Sequence, residues 1–247
     1  STGMLGSTLA KVLKKDGFSV IEFNRSGTAR NFGEIAYRCD VDKEMPLIFR
    51  DLVKTKPDFV VNAIGIIRQK MNEADPGSHL SARKVNVDFP SRLIDFQART
   101  GIPIIQIGTD CVFSGQRGNY SENEKFDPLD YYGQTKADGE KKSNLAMTIR
   151  TSIVGREHSS NCSLLSWVLS TPPNSSIDGY INHKWNGVTT LAFSKIVSGV
   201  LRDNIFKSGV AHLVPGDSLS KYELIKEIKS AFGREDIKIN KFSTGSV

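Results

Sequence analysis

Ile102-Pro-Ile-Ile-Gln-Ile-Gly-Thr-Asp110 decides the fold. It is an apolar, β-branched run of strand length that stops at a glycine and two small polar residues. A run that is apolar on both faces fits a strand covered on both sides, as in the interior of a parallel sheet. Working outward, similar runs stand at 19–23, 59–63 and 147–150, and a further strand precedes residue 40. Between and around them lie amphipathic stretches at 5–16, 43–55, 81–100, 131–142 and 191–200. Strands alternating with helices predict βαβ units, and right-handed crossovers place helices on both faces of the sheet. The expected class is therefore α/β: a doubly wound, Rossmann-like parallel sheet with a small C-terminal lobe. Residues 155–190, rich in Ser, Asn, Pro and Gly, read as loops with one short helix at 164–170. Ser220-Lys-Tyr-Glu223 has the form of a capping box and opens a last helix that runs to about residue 232.

The 247 residues suit one such sheet domain plus a lobe. The expected division is 1–152 for the sheet domain and 153–247 for the lobe, with about 186–212 returning to the sheet. Hydrophobic residues make up 38% and charged residues 24%, ordinary for a globular chain. The net charge of +6 is scattered and forms no dense basic run, so nucleic acid and membrane partners are not expected, whereas an anionic small substrate is. Three widely spaced cysteines, Cys39, Cys111 and Cys162, suggest neither a disulfide framework nor a zinc site, which points to a cytoplasmic setting. The four histidines, His79, His158, His183 and His212, are dispersed, and no metal is expected. No signal peptide is visible, and the longest apolar stretch, 59–67, is too short to span a bilayer.

The chain opens on Ser1-Thr-Gly-Met-Leu-Gly6, which reads as the end of a phosphate-binding turn before a helix. Glycines there let backbone approach a pyrophosphate, and the helix start supplies amides and partial positive charge. A purely structural turn fits Gly3 and Gly6 as well. The strand that normally precedes such a turn is expected to be clipped from the sequence. At the tip of the next strand, Arg25 suits a ribose 2′-phosphate, favouring NADP over NAD; a solvated surface arginine is the alternative. Asp40, after the following strand, suits an adenine amino group or a plain loop. Val60-Val-Asn-Ala-Ile-Gly65 ends a strand in small residues that permit close approach of a ligand.

Thr109 stands at the carboxyl end of its strand, where doubly wound folds bind ligands. Tyr132 and Lys136, four apart, share one face of a helix. A ketone that accepts hydride develops negative charge on oxygen and needs a positioned acid. A free phenol titrates at about 10, and a nearby ammonium favours its ionised form. The Thr109 hydroxyl is placed to steady the developing charge.

Thr109-Asp-Cys-Val-Phe-Ser-Gly115, Asn119-Tyr-Ser-Glu122 and Pro128-Leu-Asp-Tyr-Tyr-Gly-Gln-Thr-Lys-Ala-Asp-Gly-Glu140 together resemble the dTDP-4-dehydrorhamnose reductase group of extended short-chain dehydrogenases/reductases. The resemblance extends to Arg150-Thr-Ser152 and covers the chain from residue 1 to about 232. It implies an oxidoreductase that reduces a keto group of a nucleotide-linked sugar, in nucleotide-sugar or surface-polysaccharide biosynthesis, with NADPH or NADH. It implies Thr109, Tyr132 and Lys136 as the catalytic set, with Tyr132 as general acid and Lys136 on the nicotinamide ribose. It implies cofactor contacts from Gly3, Met4, Leu5, Gly6, Arg25, Asp40, Val41, Ala63, Ile64 and Gly65, besides Tyr132 and Lys136. Thr109, Asp110, Cys111, Ile153 and Asn186 would face the sugar nucleotide, the last from Trp185-Asn-Gly-Val-Thr-Thr190, a segment similar to the substrate lobe of a related subgroup. Family members carry aromatics where this chain has Cys111 and Ile153, which bears on the identity of the sugar. An epimerase or dehydratase of the same superfamily, or a non-catalytic NADP-binding subunit, is the alternative. A homodimer is the commonest assembly for such a chain.

Overall fold

A computed structural model describes residues 2–27, 35–72, 74–140, 145–157 and 162–245. In chain order the elements are α1 (Met4–Lys15), β1 (Ile21–Asn24), β2 (Ile35–Arg38), α2 (Val41–Thr55), β3 (Val60–Asn62), α3 (Pro76–Arg83), α4 (Phe89–Thr100), β4 (Ile104–Ile107), α5 (Tyr131–Gly139) and β5 (Met147–Arg150). There follow β6 (Ile153–Val154), α6 (Leu164–Ser170), β7 (Ser176–Tyr180), β8 (Lys184–Trp185), β9 (Val188–Thr189), α7 (Thr190–Arg202), β10 (Gly209–His212), β11 (Leu219–Ser220), α8 (Lys221–Ala231) and β12 (Lys238–Phe242).

The main sheet is parallel throughout, in the order β10-β5-β4-β3. Alternation along β4 explains its two covered faces. Ile104 joins a core with Ile48 and Leu52 of α2 and Leu93 and Phe96 of α4. Ile105 joins the opposite core with Leu5 and Leu9 of α1 and Phe193 and Val197 of α7. The doubly wound α/β class expected from the sequence is therefore the observed one. A second parallel pair, β1–β2, lies across a cavity of about 380 Å³ from β3, walled by Leu9 and Leu13 of α1, Leu52 of α2, and strands β1 and β3. In the C-terminal lobe, α6 and α8 pack through Leu165, Val168, Leu224 and Ile225, and β12 pairs with β7.

Several boundaries differ from expectation, each for a local reason. Helix α2 starts at Val41 rather than 43 because the Asp40 carboxylate caps it, accepting from the Asp42 amide. The helix expected over 81–100 begins at Pro76, capped by Asp75, and runs on through a π-helical turn at Lys84–Asp88. That wider turn sits just ahead of Pro90, which has no amide to donate. Residues 155–190 hold short strands as well as a helix. Strand β10, absent from the sequence reading, extends the main sheet beside β5. The end expected for α5, at 142, and His158 lie outside the described residues. The capping box forms as read: the Glu223 amide donates to Ser220 Oγ at 3.1 Å, and the Ser220 amide donates to Glu223 Oε2 at 2.6 Å. No helix among the described residues is long and apolar enough to cross a membrane.

The π-helical turn carries Asn86, which is 2% exposed. Its Nδ2 donates to the Ile66 carbonyl and to Thr135 Oγ1, each at 3.0 Å, and its Oδ1 accepts from the Ile66 amide at 2.9 Å. The side chain thereby ties the loop after β3 to α5. Replacing Asn86 by Ala leaves the Ile66 amide and carbonyl without these partners, so Asn86→Ala is expected to destabilise the protein by about 2–3 kcal/mol in urea unfolding.

Candidate active site

Gly108 follows β4 against the Arg150 side chain: a Cβ here would lie 2.9 Å from Arg150 Cγ. Thr109 is extended and caps a short 3-10 turn over Asp110–Val112. Its Oγ1 accepts from the Cys111 amide at 3.2 Å and donates to Asp110 Oδ1 at 3.3 Å. The Cys111 thiol reaches the same carboxylate oxygen at 3.7 Å. Helix α5 begins beside this turn. Asp130 caps it, accepting from the Gly133 amide at 2.7 Å, and Arg68 pairs with the other Asp130 oxygen at 3.3 Å. A Cβ at Gly133 would collide with the Cys111 carbonyl and lie 2.7 Å from Pro128 Cβ. Only glycine lets the first turn of α5 approach so closely, and that approach sets Tyr132 against Thr109.

The three expected catalytic residues line one cleft of about 530 Å³. Burial pushes the Tyr132 phenol well above its usual value; the Thr109 hydroxyl bonds to it and acts the other way, while Cys111, Asp110 and Asp130 add to the rise. Tyr132 is thus held as the neutral phenol, since loss of solvent and the nearby acidic groups act in the same sense. Burial lowers Lys136 to about 8, partly opposed by Glu140 and Cys111. The Lys136 Nζ donates to the Ile107 carbonyl at 3.0 Å, which fixes it beneath the end of β4.

Beyond α5, Glu140 forms a buried ion pair with Arg150, whose Nε donates to Glu140 Oε1 at 2.7 Å. The same guanidinium donates to the Glu122 carbonyl at 3.2 Å and lies 5.0 Å from the centre of the Phe126 ring. Glu122 accepts from the His212 amide at 3.0 Å and is held below the usual carboxylate range chiefly by that bond. These contacts clamp the loop after Thr109 onto β5 and β10.

Gly3, Met4, Leu5, Ala63, Ile64 and Gly65 line the same cleft, as do Asp110, Cys111 and Ile153. The start of α1 suits a diphosphate: Gly3 caps it without a side-chain bond, the first turn carries no acid, and open space surrounds the Gly3 Cα. Other expected residues lie elsewhere. Gly6 faces the cavity between β1 and β3 instead of the cleft. Val41 is 5% exposed within the core, since its side chain points beneath α2. Asp40 is engaged as the α2 cap, and Arg25 is exposed on the turn after β1; neither is among the residues that line the cleft. Asn186 is exposed and is not among the lining residues; the neighbouring Trp185 lines the cleft, held by Nε1 donating to Ser152 Oγ at 2.9 Å. Arg68, Glu157, Cys162 and Lys221 also line the cleft and were not anticipated, although Lys221 lies inside the capping-box motif. Among the described residues, no group of three or more His, Cys, Asp or Glu is placed to hold a metal ion.

Residues 1–246 match the family model described as the RmlD substrate binding domain. The chain belongs to that family. A dTDP-4-dehydrorhamnose reductase of Aggregatibacter actinomycetemcomitans is 27% identical over 232 residues, which cover 90% of this chain and 73% of the relative. Methionine adenosyltransferase 2 subunit beta of Rattus norvegicus is 26% identical over 141 residues, covering 57% of this chain and 40% of the relative. The crystal structure of dTDP-4-dehydrorhamnose reductase from Bacillus anthracis in complex with NADP superposes with a TM-score of 0.74 at 17% identity, covering 99% of this chain and 83% of that one. The family is thus shown by the sequence, and the Rossmann-like fold by the superposition.

Gly133→Ala is expected to lower stability by about 1–3 kcal/mol, the cost of forcing a methyl into close-packed backbone. Its unfolding midpoint in urea, set against that of Gly216→Ala at an open position, checks this.

Proposed function

We propose that the chain reduces a keto group on a nucleotide-activated sugar, using NADPH or NADH. The observation that carries this reading is that one cleft is lined by the uncapped start of α1, by Thr109, Tyr132 and Lys136, and by residues of the C-terminal lobe. The relatives named as dTDP-4-dehydrorhamnose reductases, and the NADP in the Bacillus anthracis structure, support it. Arg25, exposed at the tip of β1, favours NADP.

A bound nicotinamide supplies the hydride. Tyr132 gives its phenolic proton to the carbonyl oxygen as carbon accepts that hydride, leaving an alcohol and a phenolate that regains its proton from water. Thr109 turns its O–H from Asp110 to the same oxygen and steadies the charge that forms there. Asp110 thus acts as a resting acceptor for that hydroxyl. Lys136 presents its ammonium beneath the phenolate and holds the nicotinamide ribose. Met4 and Leu5 offer amides to the diphosphate, and Ala63, Ile64 and Gly65 give it backbone to lie against. Net reduction consumes one cofactor per turnover, whereas an epimerase or dehydratase returns it.

A second reading, a cofactor-binding subunit without turnover, is favoured by the likeness to methionine adenosyltransferase 2 subunit beta. Turnover separates the two. With a keto-sugar nucleotide, Tyr132→Phe is expected to lower kcat by about 10²–10⁴ while NADPH still binds, measured by loss of NADPH absorbance and by fluorescence titration. Binding of NADPH without any consumption across UDP- and dTDP-linked keto sugars would instead establish the subunit reading. The reduction rate is also expected to fall as pH rises through about 8, because Lys136 then loses the proton that makes it a cation while Tyr132 keeps its own. A rate independent of pH between 7 and 9 contradicts that assignment.

A further inference from the structure

Lys136 and Glu140 stand one helical turn apart, and the Glu140 amide donates to the Lys136 carbonyl at 3.0 Å. Both side chains turn to the sheet. Lys136 Nζ reaches the Ile107 carbonyl at the end of β4. Glu140 reaches Arg150 at the end of β5, the neighbouring strand, where Ile149 pairs with Ile107. The ammonium and the carboxylate thus meet the sheet at adjoining strand ends, and the Glu140 side chain is only 5% exposed.

The ion pair with Arg150 leaves half of this carboxylate unengaged. Arg150 directs both Nε and Nη2 to Oε1, whereas a forked pair would give one donor to each oxygen. Oε2 is buried and accepts from no donor among the described residues. A buried carboxylate oxygen in that state lowers stability, so packing alone does not account for it. Arg150 is also drawn elsewhere, to the Glu122 carbonyl, to His212 Nε2 and over the rings of Phe113 and Phe126. Negative charge therefore remains one turn from Lys136. The other groups around α5 do not supply it. Tyr132 is a neutral phenol, and Cys111, on the turn after β4, is a thiol held at about 11. Asp110 on that turn is engaged by the Thr109 hydroxyl. Arg83 of α3 pairs with Asp138, and Lys84 of the π-helical turn pairs with Asp42. Asp88 is exposed, as are Arg92, Asp95 and Arg99 of α4. Burial drives Lys136 toward the neutral amine, and Glu140 is the chief group acting the other way.

We propose that Glu140 is a positioning residue of the reaction, its donor-free oxygen keeping Lys136 a cation so that the site works through neutral pH. The assignment rests on the reductase reading above. Glu140 acts through Lys136 alone, and Arg150 serves to hold the carboxylate in place without cancelling it.

Two measurements on Glu140→Gln, Glu140→Asp and the double variant Glu140→Gln/Arg150→Met test this. One is the pH midpoint for acetylation of Lys136, which lines the cleft, by acetic anhydride, read by mass spectrometry and independent of turnover. The other is the pH profile of NADPH oxidation with a keto-sugar nucleotide. In the unaltered protein both midpoints are expected at about 8. Glu140→Gln is expected to move both to about 7 or lower, reducing the rate about threefold or more at pH 7.5 and far less at pH 6. Glu140→Asp, which keeps the charge, is expected to return them most of the way. The double variant strands no charge and stands in should Glu140→Gln fail to fold. It is expected to show the same shift; midpoints of about 8 in it assign the effect to a stranded Arg150 and overturn the proposal. Unmoved midpoints in Glu140→Gln, or a rate lost equally at every pH, also overturn it and leave the reductase reading standing. If the unaltered protein binds NADPH but never consumes it, the reductase reading itself fails, and this role in the reaction falls with it whatever the acetylation midpoints.

Discussion

The amide of Asn86 is the joint between the loop after β3 and the helix that carries the phenol and the amine. It satisfies both backbone groups of Ile66 while bonding Thr135, one residue before Lys136. At the far end of α5, Gly139 lies so close to the Asn86 backbone that a Cβ there would collide with its carbonyl. At the near end, Gly133 abuts the Cys111 carbonyl. The helix is therefore held at both ends and at its middle, and Tyr132 and Lys136 take their places relative to Thr109 from these contacts rather than from their own side chains. That is the economy of the site: rigid backbone fixes the reacting groups before any ligand arrives.

Electrostatics follow from the same packing. Burial makes the phenol a poor acid to ionise and the lysine an easy base to neutralise, two shifts in opposite senses produced by one dry cleft. Glu140 works against the second shift, but its charge is shared with Arg150. A buried pair of this kind adds little net stability, while loss of one partner leaves the other stranded. Its value lies in geometry: Arg150 reaches from β5 to α5, to the Glu122 carbonyl and to His212, so the loop after Thr109 has one course across the sheet end.

Much of this was legible in the sequence because it depends on short-range pattern. The apolar run through Ile104 and Ile105 announces a strand buried on both faces, and the four-residue step from Tyr132 to Lys136 places them on one helical face. The Ser220–Glu223 box is a local motif, and it forms. What the sequence hid depends on distant partners. Strand β10 is recognisable only beside β5, and β7 only beside β12, since neither run is apolar enough to announce itself. Pro90 argues for a break in the helix, yet the π-helical turn absorbs it. Val41 and Asn186 were placed by resemblance; one is in the core and the other is exposed, while Trp185 beside it lines the cleft. Lys221 was visible as part of a cap, but nothing in the string says that the lobe folds it into the cleft.

Cys111 lines the same cleft, with Asp110 at its side. Burial first, and that carboxylate second, push its thiol up to about 11. Thiolate is the species attacked by peroxide and by alkylating reagents, and near neutrality almost none forms here. The sulfur is thus held as the thiol by its own surroundings, although its side chain is exposed to the cleft.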